Sequence, residues 1–184
     1  MTLLHISTVG DKVLREKARP VTEFNNEIKE LAKNMADTMR AADGLGIAGP
    51  QVGVSLRIFV IDFGYMDFVK AEENGEKPKS AEFRPVAFIN PEITEKEGKI
   101  VYGEGCLSVP KYNADVERAE KIVCKYFDTD GKEQEIKATG LTAVAIQHEN
   151  DHLDGHLYVE LVSGKLYDNS ELTEEGVPEL ADEQ

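Results

Sequence analysis

The chain from residue 141 to residue 153 is L-T-A-V-A-I-Q-H-E-N-D-H-L, in which an apolar half is followed by ionisable side chains. Because His148 and His152 stand four residues apart, on a helix they would lie on one face, about 6 Å apart along the axis. Two imidazoles so placed can bind one metal ion, and Glu149 could then reach a water on that ion. The apolar half is typical of a helix that is buried on most sides. We therefore predict a central buried helix that carries a metal site through its H-E-x-x-H motif.

The length and composition are those of an ordinary globular protein. The chain has 184 residues, of which 41% are hydrophobic and 30% are charged, and this suits one domain with a substantial core. We predict a single catalytic domain over residues 1–167 and an acidic tail over residues 168–184, which holds seven acids and no base. The formal net charge is −14. Such a surface repels phosphate backbones, so nucleic acid is not expected as a direct ligand.

Cys106 and Cys124 are too few for a disulfide framework and indicate a reducing compartment. The N-terminal residues lack a basic segment followed by an apolar run, and no window approaches the roughly 18 apolar residues of a membrane span. We therefore expect no signal peptide, no membrane span and a cytoplasmic location. A monomer is the simplest expectation for the oligomeric state.

An amphipathic helix is predicted near the N-terminus, because apolar residues recur there at spacings of three and four. These residues are Phe24, Ile28, Leu31, Met35, Met39 and Ala42. Thr22, Asn25 or Asn26 could cap the start of this helix.

Strands are predicted at residues 57–62, 86–90, 99–104, 121–127 and 133–139. Pro91 should end the second strand, and the last two should form a hairpin. The glycine-rich residues 44–51 are predicted to form a turn, and residues 64–85 a polar surface loop. Helix, several strands and helix in this order favour an α+β fold with mostly antiparallel sheets packed around the H-E-x-x-H helix.

A catalytic metal site of this kind needs a third protein ligand and keeps one position open for water. The candidates are Cys106, His156, Glu160 and the acids of the tail. His156 could share the helix face only if the helix continued past Gly155. Cys106 lies in a glycine-flanked turn after a strand, where a thiol can project, whereas Cys124 lies mid-strand and should be an inert buried cysteine. Spacing alone leaves the third ligand open.

Three segments together resemble the motifs of one known family, the peptide deformylases. They are G-L-G-I-A-G-P-Q at residues 44–51, E-G-C-L-S at residues 104–108 and Q-H-E-N-D-H at residues 147–152, and they occur in the family's order. The resemblance implies a metal centre of Cys106, His148 and His152. It implies iron(II) as the usual metal, with zinc, nickel or cobalt as substitutes. The implied activity is removal of the formyl group, as formate, from N-formylmethionine on newly made polypeptides.

The resemblance also implies roles around the metal. A metal-bound hydroxide would be the nucleophile, and Glu149 would be the general base that later returns the proton to the leaving amine. The Gln51 side-chain amide and the Leu107 backbone N–H would stabilise the oxyanion. Asp151 is expected to support the site or to pair with Arg118.

The implied substrate site has a pocket for the methionine side chain and two backbone partners for the peptide. The side chains that match positions lining the pocket are those of Leu45, Tyr102, Leu141, Val144 and Ala145. Gly46 and Gly105 would offer backbone hydrogen bonds in the manner of a β-strand.

The sequence departs from the family's pattern in several places. Gly49 stands where alanine is common, and Asn113 stands where many bacterial members have arginine at the pocket rim. The 64–85 segment is longer than in many compact members. The tail is acidic, whereas many bacterial relatives end in a basic helix that docks on the ribosome.

Two other functions are compatible with H-E-x-x-H. The first is an endopeptidase, although Tyr158 replaces the third histidine expected of one such class and a tail glutamate would have to serve as the third ligand. The second is a non-catalytic metal or peptide-binding module, which would fill all four metal positions with protein ligands and would have no use for Glu149.

The acidic tail predicts that any transient ribosome contact does not run through a basic C-terminal helix. In cosedimentation with 70S ribosomes, the tail should contribute weak or no salt-sensitive binding, since its acids repel rRNA. Deleting residues 168–184 should therefore not lower the bound fraction. Tight cosedimentation that this deletion abolishes would contradict the prediction.

Overall fold

The computed structural model describes residues 2–76 and 80–168. The predicted acidic tail lies outside the described residues, apart from Asp168. Three α-helices are described: α1 (Asn26–Ala41), α2 (Phe63–Glu73) and α3 (Gly140–Leu153). The strands are β1 (Gly46–Ala48), β2 (Ile58–Asp62), β3 (Pro85–Glu97), β4 (Ile100–Cys106), β5 (Val109–Arg118), β6 (Lys121–Phe127), β7 (Glu133–Thr139) and β8 (Val162–Asp168). Short 3-10 helices cover Lys12–Arg15, Gly49–Val52 and Tyr158–Glu160.

The strands form two antiparallel sheets. One sheet has five strands in the order β1-β2-β3-β6-β7, and the other has three in the order β4-β5-β8. Every pairing between neighbouring strands is antiparallel. The predicted α+β class with antiparallel sheets is therefore confirmed.

Helix α1 starts where a side chain satisfies its first free N–H groups. Asn25 Oδ1 accepts hydrogen bonds from the backbone N–H of Glu27 at 3.0 Å and of Ile28 at 3.2 Å, so Asn25 is the N-cap. Met35 and Met39 lie on the buried stripe and are fully buried. Through this stripe the helix packs against β1 and β2.

Helix α3 lies in the interior and contacts both ends of the five-stranded sheet. It packs against β1, β2 and β7, and it also contacts β4 of the smaller sheet. Ile146 and Leu153 are fully buried in one core cluster with Phe59 and Phe88 of that sheet. The ionisable end of α3 is consequently placed beside the end of β4.

The prediction of a surface loop over residues 64–85 is wrong in its first half, because α2 occupies Phe63–Glu73. The Asp62 carboxylate caps this helix by accepting from the Gly64 N–H at 2.9 Å, and Met66 is buried in the core. The polar residues at the centre of the segment predicted a loop, although its first residues form a helix that is fixed to the core. Residues 77–79 lie outside the described residues.

Pro91 does not end a strand, and that prediction is also wrong. Strand β3 continues to Glu97, and its register with β6 shifts between Ile89 and Glu92. A proline is tolerated at such an irregularity because no ladder hydrogen bond is required of its nitrogen.

The glycine-rich 44–51 segment holds the short strand β1 and a 3-10 turn rather than a turn alone. Strands β5 and β8 were not predicted, because their polar, proline- and glycine-containing sequences lack a clear alternation.

Asn90 fastens the N-terminal segment to the sheet at this bulge, and its substitution should destabilise the fold. Its φ is 49°, and its side-chain amide exchanges two hydrogen bonds with the Val21 backbone, at 2.9 and 2.8 Å. We expect Asn90→Ala to lower the free energy of unfolding by about 2–3 kcal/mol, since it loses both bonds and strains the left-handed backbone. Urea denaturation measures this change.

Asn90→Gly separates the two effects, because glycine adopts this φ without strain. It should destabilise the protein by about 1 kcal/mol less than Asn90→Ala does. Equal stabilities of Asn90→Ala and the unsubstituted protein would contradict the assigned role of Asn90.

Candidate metal centre

Three potential ligand atoms converge where α3 meets the end of β4. Cys106, His148 and His152 each present one donor atom, and these atoms all lie within 4.8 Å of one another. Cys106 Sγ and His152 Nε2 are 3.2 Å apart. Donors bound at about 2.0–2.3 Å to one tetrahedral ion are themselves roughly 3–4 Å apart. The three side chains are thus placed to share a single ion.

The orientation of the His148 ring is fixed from behind. Its Nδ1 lies 2.7 Å from Glu104 Oε2, so Nε2 is the nitrogen left to face Cys106 and His152. Arg118 donates two hydrogen bonds to Glu104, at 2.7 and 2.9 Å, and a third to Asp151. The predicted pairing of Asp151 with Arg118 is therefore confirmed.

The donor set fits a divalent transition metal. One thiol and two imidazoles match the softness of iron(II), zinc, nickel or cobalt better than that of calcium or magnesium. The Glu149 carboxylate is 4% exposed. Its Oε2 has no hydrogen-bond partner among the described residues, and a buried acceptor of this kind needs a donor such as a water held at the site. The donor set and the unpartnered Glu149 Oε2 both agree with a metal centre that keeps a position for water.

Burial and neighbouring charges set the proton affinities of the site. Burial and the charge of His148 hold the pKa of His152 well below its ordinary value, so His152 is the neutral imidazole that a metal requires. For His148, hydrogen bonds with Cys106 and Glu104 outweigh burial and raise the pKa, so a metal ion that binds this ring has to displace a proton from it. Burial raises the pKa of Glu149 to about 7. A carboxyl group that titrates near neutrality can both accept and release a proton.

Gln51 projects a donor into the site from the 3-10 turn after β1. Its Oε1 accepts from the Ala48 N–H at 2.7 Å, which leaves the amide N–H groups to face Cys106 Sγ at 3.4 Å and Ser108 Oγ at 3.2 Å. Leu107 lies in the turn after β4 and lines the same cavity.

A cavity of about 590 Å³ borders two of the three ligands, Cys106 and His148. It is bordered by His148, Glu149 and Cys106 at its inner end, and by every residue of the predicted substrate site. These residues are Leu45, Gly46, Tyr102, Gly105, Leu141, Val144 and Ala145. Gly46 lies against the Glu149 carboxylate, and a Cβ added at Gly46 would displace that side chain.

The remaining sequence candidates lie away from the three ligands. His156 is exposed and has its Nδ1 3.2 Å from the carboxylate of Glu160. Cys124 is fully buried within the five-stranded sheet, where burial raises its pKa to about 11. Neither His156 nor Cys124 borders the cavity, so neither is a ligand candidate in this arrangement.

Sequence reasoning missed the supporting roles of Glu104 and Tyr158. Glu104 belongs to the E-G-C-L-S segment, so its position in a motif was a usable signal. Tyr158 is 1% exposed, stacks on the His148 ring at a centroid distance of 5.9 Å, and donates its hydroxyl to the Tyr112 carbonyl at 2.7 Å. Its packing against His148 could not have been inferred from spacing.

None of the helices in the described part of the chain combines the length and apolar character needed to cross a membrane.

Comparison with known proteins assigns the family. The sequence model of the family described as polypeptide deformylase matches residues 3–166. A peptide deformylase of Halothermothrix orenii is 46% identical over 162 residues, which are 88% of this chain and 95% of that protein. A peptide deformylase of Thermodesulfovibrio yellowstonii is 42% identical over 163 residues, 89% of this chain and 91% of that protein. The crystal structure of the Thermotoga maritima peptide deformylase matches with a TM-score of 0.78 at 39% identity, and covers 89% of this chain and 100% of that one. The chain therefore belongs to the peptide deformylase family of enzymes.

Proposed function

We propose that the chain removes the N-formyl group, as formate, from the N-formylmethionine of newly made polypeptides. The observation that carries the proposal is the convergence of Cys106, His148 and His152 beside a cavity that Cys106, His148 and Glu149 border. Three protein ligands beside an open cavity suit a catalytic site rather than a structural one, in which four protein ligands close the coordination sphere.

Cys106, His148 and His152 would hold one divalent metal, for which we propose iron(II), with zinc, nickel or cobalt as substitutes. A thiolate in the donor set suits these softer ions. A bound ion would supply Lewis-acid chemistry, which activates a water molecule for attack near neutral pH. With Cys106 as the third donor, no tail glutamate is needed as a ligand, and this favours the deformylase proposal over the endopeptidase.

Glu149 is proposed to move the protons of the reaction. Its carboxylate borders the cavity one residue after a ligand, and its Oε2 is free of partners among the described residues. It can therefore take a proton from the attacking water and return that proton to the leaving amine of methionine. A non-catalytic binding module would have no use for a buried, unpaired carboxylate at this position.

Gln51 and Leu107 are proposed to bind the formyl oxygen as it becomes an oxyanion. The Gln51 amide is held by the Ala48 backbone and by Ser108, so its donor needs little reorganisation. The Leu107 backbone lies in the turn directly after Cys106, on the cavity wall. The two donors thus approach the reacting carbonyl from two different elements.

The substrate would bind as an extended strand. β1 and β4 are edge strands of their sheets and both border the cavity, at Gly46 and Gly105. Edge strands offer backbone groups to an added strand. The apolar side chains of Leu45, Tyr102 and Leu141 would receive the methionine side chain, together with Val144 and Ala145 from α3.

Substitution of Glu149 tests the catalytic proposal. With formyl-Met-Ala under anaerobic iron(II) loading, Glu149→Gln should lower the kcat for formate release roughly 10²- to 10⁴-fold, since proton transfer is lost. Metal content should remain that of the unsubstituted enzyme. Glu135→Gln, on an exposed position of β7, is the matched control and should retain full activity. A Glu149→Gln enzyme with unaltered turnover would show that another group moves the proton.

Removal of the thiol tests the ligand set. Cys106→Ala should lose formate release and should fall to substoichiometric metal after gel filtration, since only two donors remain. Cys124→Ala removes the other thiol and should keep one metal per chain. Metal content measured by atomic emission distinguishes the two. Retention of one metal per chain by Cys106→Ala would exclude Cys106 as a ligand.

A further inference from the structure

The N-terminal segment is hydrogen-bonded to both elements that carry the proposed oxyanion donors. The backbone N–H of Ser7 donates to the Gln51 carbonyl at 2.8 Å, and that of Val9 donates to the Ser108 carbonyl at 2.8 Å. Gln51 lies in the 3-10 turn after β1, whereas Ser108 lies in the turn after β4. Because β1 and β4 belong to different sheets, this segment joins the edge of one sheet to the edge of the other.

The two N–H donors of this link are only two residues apart. Two residues of chain span at most about 7 Å, so the link holds the Gln51 and Ser108 carbonyls at a short, limited separation. Leu107, whose N–H is the second proposed oxyanion donor, immediately precedes Ser108. The link therefore limits how far the turn that carries Leu107 can move from the turn that carries Gln51. We call residues 7–9 the N-terminal clasp.

The clasp is anchored on both sides. Before it, the Leu4 N–H donates to the buried Thr38 Oγ1 of α1 at 2.9 Å. After it, the Asp11 carboxylate accepts from the Thr8 N–H at 2.8 Å, and the Asp11 N–H donates to the Thr8 carbonyl at 3.0 Å. Leu14, which follows this turn, is 1% exposed and packs in one core cluster with residues of β5. The clasp can therefore transmit the fixed positions of α1 and of the core to the two turns.

The clasp also acts on the side chain of Gln51, through Ser108. The Gln51 amide is 1% exposed, its Oε1 accepts from the Ala48 N–H, and its Nε2 donates to Ser108 Oγ. Nε2 also faces Cys106 Sγ at 3.4 Å, which borders the catalytic cavity. An amide nitrogen carries two hydrogens, so Ser108 occupies one and the other is directed toward the site. A displacement of Ser108 would turn the amide away from that direction.

We propose that the N-terminal clasp positions both oxyanion donors, the Gln51 amide and the Leu107 N–H, relative to each other. This inference rests on the proposed deformylase function. Neither Ser7 nor Val9 borders the catalytic cavity. They are positioning residues, which act on the reaction through the two turns and touch no reacting atom.

Proline substitutions remove the two N–H donors of the clasp one at a time. With formyl-Met-Ala, Ser7→Pro and Val9→Pro should each lower kcat about ten- to hundredfold, because a donor displaced by about 1 Å stabilises the oxyanion poorly. KM should stay within about twofold, and metal content should stay at one ion per chain. Leu3→Pro makes the same chemical change at a residue of the segment that is 55% exposed. It is the matched control and should keep the original kcat.

A double-mutant cycle with Gln51→Ala distinguishes positioning from a general loss of structure. Because Ser7 acts through Gln51, Ser7→Pro should change kcat by less than about threefold in the Gln51→Ala enzyme. Val9→Pro should keep part of its effect there, since Leu107 is still present. Equal losses from Ser7→Pro in both backgrounds would overturn the inference, and so would an unaltered kcat in both proline variants.

Where Ser7→Pro does not fold, an ester in place of the amide between Ile6 and Ser7 removes the same N–H without adding a ring. The same loss of kcat is expected of this ester variant, and an unaltered kcat in it would count against the clasp equally.

A second readout needs no turnover. The side-chain NH₂ signals of Gln51 in a ¹⁵N–¹H spectrum of the zinc-loaded protein report how firmly this amide is held. Loss of the Ser7 donor should speed their exchange with solvent hydrogen about tenfold or more, whereas Leu3→Pro should leave the exchange rate unchanged. Unchanged exchange in the Ser7 variants would overturn the inference. Absence of formate release from the unsubstituted enzyme would contradict the proposed function alone, and the exchange rates would still decide whether the clasp holds Gln51.

Discussion

The Glu104 carboxylate, buried between Arg118 and His148, is the interaction on which the metal centre depends. It is 5% exposed, and an unpaired carboxylate at such a place would cost several kcal/mol. Burial acts to raise the pKa of Glu104, but hydrogen bonds from Arg118 and His148 outweigh burial and lower it. The charge is stable only while β4, β5 and α3 keep their positions, since each contributes one partner. The same contact that holds the smaller sheet against α3 therefore also turns His148 Nε2 toward Cys106.

Local patterns predicted the elements whose signals are contained within a few residues. The H-E-x-x-H spacing places two imidazoles on one face in any α-helix, and Asn25 caps α1 through bonds to residues two and three positions away. Helix α2 was not predicted because the contacts that stabilise it are distant in sequence. Met66 packs into the core, and the Arg84 carbonyl accepts from the Phe63 N–H at the N-terminus of the helix. Strand β3 continued through Pro91 because a bulge removes the demand for its missing N–H, and a bulge is set by the partner strand.

The third ligand shows the limit of spacing arguments most clearly. Cys106 and His152 are 46 residues apart in sequence, yet Cys106 Sγ lies 3.2 Å from His152 Nε2. Nothing in the intervening sequence specifies that distance. From the residues alone, His156 and Glu160 remain candidates beside Cys106. The resemblance of three motifs to one family indicated Cys106. A set of family motifs includes residues that are distant in sequence and meet only in the fold, whereas the spacing within one motif does not. The role of Arg118 as a bridge between Glu104 and Asp151 needed the structure, although its pairing with Asp151 could be anticipated.

One close contact links the place where a substrate backbone would lie to the group that would move its protons. A Cβ on Gly46 would collide with Glu149 Oε1, so the edge strand β1 rests directly against the carboxylate. Helix α3, which carries Glu149, also packs along β1. A peptide added to β1 would take its position from the backbone at Gly46, whereas the proposed general base takes its position from α3 and rests against that same residue. The contact at Gly46 thus sets how closely the substrate backbone and the carboxylate can approach each other. Catalysis requires that relative geometry to be held closely, and a residue without a side chain is what allows it.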